Sequence, residues 1–395
     1  MTDSNNAYKN KRERGRVLRR LGPLGLWMGF VAIGLWLSLY KPLWNDEIYS
    51  QTWPVQKQSY REMLTGHIRE GNNSPLFYII QKAVCRIGRY RLVMPKEINW
   101  YVIDRPGQVL LRLPANLYMS SALTLMVLFF TRWWGWRWGL YALAVMLSSP
   151  MVWRYWAEAR PYPLWIFLTV AQALLVLSFV SDQEGKARMG LLMGTHGLMA
   201  VTSIFSLAQI GIASAVLWLD RRMKGLRLPA GYWVVTVGAM AICLFYYSRA
   251  PKYHFWFDPQ HPPWRLMFEA LPWQYLTIGG LCAGMTFVFN RQEVSATARW
   301  YGLFWALTIL AAGGLMGLFV LRAEAPPEGF AVVSRYFLFA TPVTLIAVVV
   351  FSRQAMRAAR SSWARFNIGF FLAGLLLSRF FTTYMEIYGQ AFYWI

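Results

Sequence analysis

Apolar stretches of about 18 residues or more, each closed by charged or aromatic residues, recur along this chain of 395 residues. Such a stretch is long enough to cross a hydrocarbon layer about 30 Å thick, and inside that layer every backbone polar group must be satisfied within the segment itself. The spacing therefore predicts an all-α, polytopic membrane protein with about 11 transmembrane helices. Only 15% of the residues are charged and 56% are hydrophobic, too little polar surface for a water-soluble domain of this length. Forty Lys and Arg stand against 18 Asp and Glu. These cations lie between apolar runs rather than along one stripe, so positive-inside loops and anionic headgroups explain them, and nucleic acid is excluded as a partner.

Residues 1–20 form a basic tail containing Lys9, Lys11, Arg12, Arg14, Arg16, Arg19 and Arg20. An apolar run from about Leu21 to Tyr40 follows, with no small-residue cleavage site after it. It reads as an uncleaved first span with its amino end in the cytoplasm. The next segment, 41–108, is expected to be a long first periplasmic loop with juxtamembrane helices. One of them opens at Asn73-Ser74-Pro75, with Ser74 as N-cap and Pro75 in the first turn. Further spans are expected at about Val109–Thr131 and Gly139–Trp153, then from Pro163 to about Val180. A hairpin within Met189–Leu219, broken near Ser203 and Ser206, comes next. The remaining spans are about Gly231–Tyr247, Gln274–Phe289 and Trp300–Phe319, one after Ser334-Arg335-Tyr336-Phe337, and one from about Phe366. The chain thus divides into the tail 1–20, a core 21–180 and further helices over 181–395, with external loops 248–273 and 320–335.

Two adjacent carboxylates, Asp46 and Glu47, appear just where the chain leaves the first span, and Glu158 appears where it leaves the third. In a chain with so few acids, carboxylates at bilayer ends on one face are candidates for proton transfer, and close neighbours repel and raise one pKa. Arg160 and Arg335 lie beside spans on the same face, and a guanidinium offers a fixed fork of donors to phosphate oxygens. Capping or ion pairing for the acids, and snorkelling for Arg335, are the structural alternatives. Tyr49, Tyr155 and Tyr162 read as interfacial anchors. Cys85, Cys243 and Cys282 are too few and too scattered for a disulfide framework. His254 and His261 share a loop but form no metal-ligand pattern.

The ordered set Asp46-Glu47, Ser74-Pro75-Leu76-Phe77-Tyr78, Leu111-Arg112-Leu113-Pro114 and Glu158-Ala159-Arg160-Pro161-Tyr162 resembles the GT-C glycosyltransferases, and within them the protein O-mannosyltransferase and lipid A aminoarabinose transferase group. It covers residues 24–180, and Ser334-Arg335-Tyr336 with Pro342 extends it. Ser74-Pro75-Leu76 stands where that family commonly has His-Pro-Pro, and the large C-terminal domain of some relatives has no counterpart.

The resemblance implies a multi-pass enzyme of the bacterial inner membrane with a periplasmic active site. Such an enzyme moves a sugar, with inversion, from a polyprenyl-phosphate-linked donor to a hydroxyl of a glycan, lipid or protein acceptor. It implies catalytic roles for Asp46, as general base, and for Glu47 and Glu158. It implies substrate binding by Arg160, Tyr162, Lys252, His254, Arg335 and Tyr336. Relatives differ in using a divalent ion, so a metal cofactor stays open. A transporter or flippase of lipid-linked glycans is the alternative function, and a non-catalytic membrane subunit a third. Transport would call for polar groups at mid-span, whereas the ionisable residues here gather at span ends.

Overall fold

The computed structural model describes residues 22–41, 43, 45–68, 74–91, 105–182, 185–249, 255–257, 262–289, 294–322 and 330–392. The basic tail 1–20 lies outside them, as do Lys252, His254 and His261. Helix α1 (Gly22–Tyr40) leads into a short helix α2 (Asn45–Ser50), which carries Asp46 and Glu47 in its first turn. Carboxylates suit that position because the first-turn N–H groups carry partial positive charge. A π-helical turn (Gln51–Lys57) and the capped helix α3 (Tyr60–Leu64) follow.

Helix α4 (Leu76–Ile87) begins one residue later than the sequence suggests: Pro75 is its N-cap, and the Ser74 hydroxyl is buried without capping it. Lys82 of α4 donates to the carbonyls of Val55 and Gln58 at 2.6 and 2.8 Å, fastening this surface layer together.

Helix α5 (Arg105–Trp134) runs well beyond the expected span at both ends. The third apolar run is not one helix but two, α6 (Trp136–Leu147) and α7 (Pro150–Trp156). Pro150 has no N–H to continue the ladder, and Ser148 turns its hydroxyl back to the Val145 carbonyl at 2.9 Å. Helix α8 (Tyr162–Val180) is buried along nearly its whole length, as a helix that is apolar on every side should be. The long apolar stretch after it forms α9 (Lys186–Ala200) and α10 (Ser206–Met223), separated at 201–205 as Ser203 and Ser206 suggest.

Helices α11 (Ala230–Arg249), α12 (Pro263–Ala270), α13 (Trp273–Phe289), α14 (Ala296–Leu321), α15 (Ala340–Ala358) and α16 (Ser362–Phe392) complete the chain. The strands β1 (Phe255–Trp256) and β2 (Phe330–Ala331) pair in parallel and join the two loops that flank α12–α14. Among the described residues, six helices are long and apolar enough to cross a membrane: α1, α5, α8, α11, α14 and α16. Helices α6, α9 and α13 have only 12, 15 and 17 residues, and α10 and α15 carry arginines in their last turns.

The core sits where α8 and α15 pack together, with α5, α6, α13 and α14 around them. The bundle has two unlike polar ends. At one, Arg353 lies 4.2 Å from the Trp134 ring, and Lys224 pairs with Asp182 and Asp220. At the other, residues from the ends of α1, α2, α5, α7, α8 and α15 converge.

Candidate active site

The convergence is built on a buried ion pair. Arg112, two residues before Pro114 in α5, donates from Nε to Glu47 Oε1 at 2.9 Å and from Nη2 to Oε2 at 2.6 Å. Its Nη1 donates to the carbonyls of Ser38 and Lys41, closing off the carboxyl end of α1. Glu47 and Arg112 are both fully buried. Burial pushes the Glu47 carboxyl upward, but the Arg112 charge and hydrogen bonds, with help from Lys41 and the Ala159 N–H, outweigh it. The net effect holds Glu47 below the usual carboxylate range.

Glu47 Oε1 also accepts the Ala159 N–H at 2.7 Å, while Gln81 Nε2 of α4 donates to the Ala159 carbonyl at 3.3 Å. Ala159 of the α7–α8 loop is thus held through both its N–H and its carbonyl, and the residues flanking it are Glu158 and Arg160. The sequence marks Arg112 only as part of the Leu111-Arg112-Leu113-Pro114 motif, with no role of its own, and does not mark Gln81. An arginine at the start of an apolar span, with an acid available near the preceding one, was a readable signal for Arg112; Gln81 left none. Glu47 was expected among the catalytic carboxylates. With both oxygens engaged and no surface exposed, it stands instead as the post that fixes the loop.

Asp46 faces the other way. Its Oδ2 lies 2.8 Å from Arg160 Nη1 and 2.6 Å from Arg335 Nη1, and its side chain keeps 28% of its surface exposed. The Tyr162 ring lies beside both guanidiniums, 5.4 Å from Arg160 and 5.8 Å from Arg335, and packs against the Tyr155 ring at 5.2 Å. Both tyrosines are buried in the protein rather than anchored at its rim, against the expectation of interfacial anchors for Tyr155 and Tyr162. Tyr336 packs its ring on Phe205 and Phe319.

Glu158 is 1% exposed, and its Oε1 has no hydrogen-bond partner among the described residues. Burial raises its carboxyl to about 7, with Glu47 adding to the rise and Lys41, Arg160 and Arg335 restraining it. Four of the sequence candidates, Asp46, Glu158, Arg160 and Arg335, therefore belong to one electrostatic cluster drawn from chain segments far apart. Among the described residues no group of three or more His, Cys, Asp or Glu side chains stands together. A cavity of about 580 Å³ opens beside the cluster, with Tyr155 and Arg335 in its wall.

This arrangement can hold an ionised carboxylate next to an anion. Two arginines share one aspartate, so the trio keeps a net positive charge. A buried carboxyl with a pKa near neutrality stands close by.

No family model matches the chain, and no curated protein matches it. Two solved structures are similar to it. One is the crystal structure of ArnT from Cupriavidus metallidurans bound to undecaprenyl phosphate, at 14% identity and a TM-score of 0.49, over 84% of this chain and 60% of that one. The other is the apo state of the same protein, at 13% identity and a TM-score of 0.48, over 85% of this chain and 60% of that one. The chain spans about three fifths of the length of those chains.

Proposed function

We propose that the chain is a GT-C type membrane glycosyltransferase that moves a sugar from a polyprenyl-phosphate-linked donor to a hydroxyl of a cell-envelope acceptor, with inversion. The observation that carries this reading is Asp46 held between Arg160 and Arg335 at 2.8 and 2.6 Å, at a bundle end and beside a cavity. The ordered motifs of the sequence support it independently.

In the proposed reaction the acceptor hydroxyl approaches Asp46, which takes its proton as the oxygen bonds to the anomeric carbon. The sugar–phosphate bond breaks with its electron pair, and the lipid phosphate departs as an anion that needs cationic donors rather than a proton. Arg335 and Arg160 stabilise that charge. Glu158, protonated near neutrality, donates a hydrogen bond to a sugar or acceptor oxygen, and Glu47 with Arg112 and Gln81 positions it.

The same reading puts eleven helices across the inner membrane and the site on the periplasmic face. It places the basic end with Arg132, Arg188, Arg353 and Arg357, and the amino terminus, in the cytoplasm. Lys252 and His254 remain substrate-binding candidates from the sequence.

The test is transfer of labelled sugar from a panel of polyprenyl-phosphate sugars by the purified full-length protein in nanodiscs. Asp46→Asn should fold, retain donor binding and lose transfer. Full activity in this variant would remove Asp46 from the chemistry.

A further inference from the structure

A groove at the other end of the bundle from Asp46 stands outside the proposed transfer chemistry. Helices α5 and α9 each pack against α8 and leave between them a cleft of about 660 Å³. Along α8 it reaches from Phe167 to Ser178, roughly 16 Å of helix. Helix α8 is buried at every position except Phe167, Ala171 and Leu175, which are partly exposed. A spacing of four residues puts these on one face, and that face is the floor of the groove. The helix at the heart of the bundle is thus left uncovered along this strip.

The far wall is open as well. Gly190 and Gly194 of α9 line it, and a Cβ added at either would meet nothing within 4 Å. Apart from Ser178 and Thr195 the uncharged side chains of the lining are apolar, and none of the lining residues is acidic.

Two cations stand where α5 finishes and α9 begins. Arg132 lies in the last turn of α5 and Arg188 in the first turn of α9, and both line the groove. Arg132 complements the negative end of the α5 dipole, whereas Arg188, with Lys186 before it, adds positive charge at the positive end of α9. Gly185, the N-cap of α9, supplies no side-chain acceptor there. An anion at this end of the groove meets two guanidinium forks and the amino end of a helix together.

We propose that the groove holds an anionic phospholipid, with an acyl chain along Phe167, Ala171 and Leu175 and the phosphodiester against Arg132 and Arg188. An apolar floor joined end to end with a cationic mouth matches a molecule of that build. A zwitterionic lipid brings its own ammonium to the same place and loses much of the attraction. A helix of a second copy would match the glycines, but a hydrophobic span gives the two guanidiniums no anion. The site is independent of the transferase reading; only its assignment to the cytoplasmic leaflet rests on the orientation proposed with it.

The test is native mass spectrometry of the delipidated full-length protein in mild detergent, with phosphatidylglycerol, phosphatidylethanolamine and undecaprenyl phosphate as probes. For the first lipid bound, the wild type should prefer phosphatidylglycerol to phosphatidylethanolamine by about tenfold or more. Changing Arg132→Gln and Arg188→Gln together should bring that ratio to within about twofold. Gly194→Leu fills the groove and should weaken both phospholipids. Gly197→Leu, at a glycine equally open but outside the lining, should bind as the wild type does.

Equal affinity for the two phospholipids in the wild type, or a preference that survives the arginine changes, would overturn the inference. Unchanged binding in Gly194→Leu would also sink it, and a dimer broken by that change would assign the groove to a second copy instead. Tighter binding of undecaprenyl phosphate, with the same dependence on Arg132 and Arg188, would replace the phospholipid by the carrier. If Gly194→Leu does not fold, the arginine pair decides, since Arg132 is exposed and Arg188 partly so. Phospholipid selectivity in a protein that transfers no sugar keeps this site and removes the transferase reading. Sugar transfer by a protein without that selectivity does the reverse.

Discussion

Asp46 and Glu47 are neighbours in sequence, yet neutralising them should cost very different amounts of stability. Glu47→Gln keeps the shape of the side chain but turns an amide NH2 toward Arg112, a group that can only donate. Three charge-assisted contacts at 2.6, 2.7 and 2.9 Å depend on that carboxylate, and both partners of the pair are fully buried. Removing one member of such a pair leaves the other charge uncompensated and costs about 3–5 kcal/mol. Asp46→Asn acts at a side chain with 28% of its surface exposed, where solvent screens the pairing, and should cost about 1 kcal/mol or less.

The assay is thermal unfolding of the purified protein in detergent, with Arg112→Gln and the double variant completing a cycle. The double variant, in which neither side chain of the pair carries a charge, should be more stable than the two single losses summed, by about 1–3 kcal/mol. The pH dependence has a definite sign. Glu47 is held below the ordinary carboxylate range, so its contribution is complete above that range and disappears only on acidification through the folded-state value. The gap between wild type and Glu47→Gln should therefore close in acid. A Glu47→Gln protein that melts with the wild type, or a strictly additive cycle, would refute the reasoning.

Glu158 carries the opposite shift. Its pKa is raised from 4.5 to about 7, so the folded state holds an extra proton across that window and stability should fall as pH rises through it. Glu158→Gln should flatten that slope in a pH series of melting curves, keep transfer below pH 7 and lose the decline above it. At Gly34 an added Cβ would lie 1.9 Å from Asn116 Oδ1 and 2.8 Å from Trp156 Nε1. Gly34→Ala should therefore lower stability by about 1–3 kcal/mol. Gly29→Ala, which meets nothing within 4 Å, is the control and should melt no lower than the wild type.

The helices were legible because hydrocarbon-length apolar runs leave the backbone few alternatives, and so was the gathering of Asp46, Glu158, Arg160 and Arg335 at one end. What the sequence concealed were the partnerships across long separations. Nothing local distinguishes Asp46 from Glu47; the difference comes from Arg112, 65 residues away from Glu47. The break at Ser148-Ser149 was concealed as well, since an apolar run of the right total length reads as one span whether or not Pro150 interrupts it.

The bridge between Asp46 and Arg335 bears on how the protein is made. A ribosome delivers the aspartate 289 positions ahead of one of the two arginines that hold it. Until Arg335 has been synthesised, the nascent product carries Asp46 without one of its two countercharges. The cluster is therefore completed late in translation, and a polypeptide terminated before Arg335 would leave Asp46 paired with Arg160 alone.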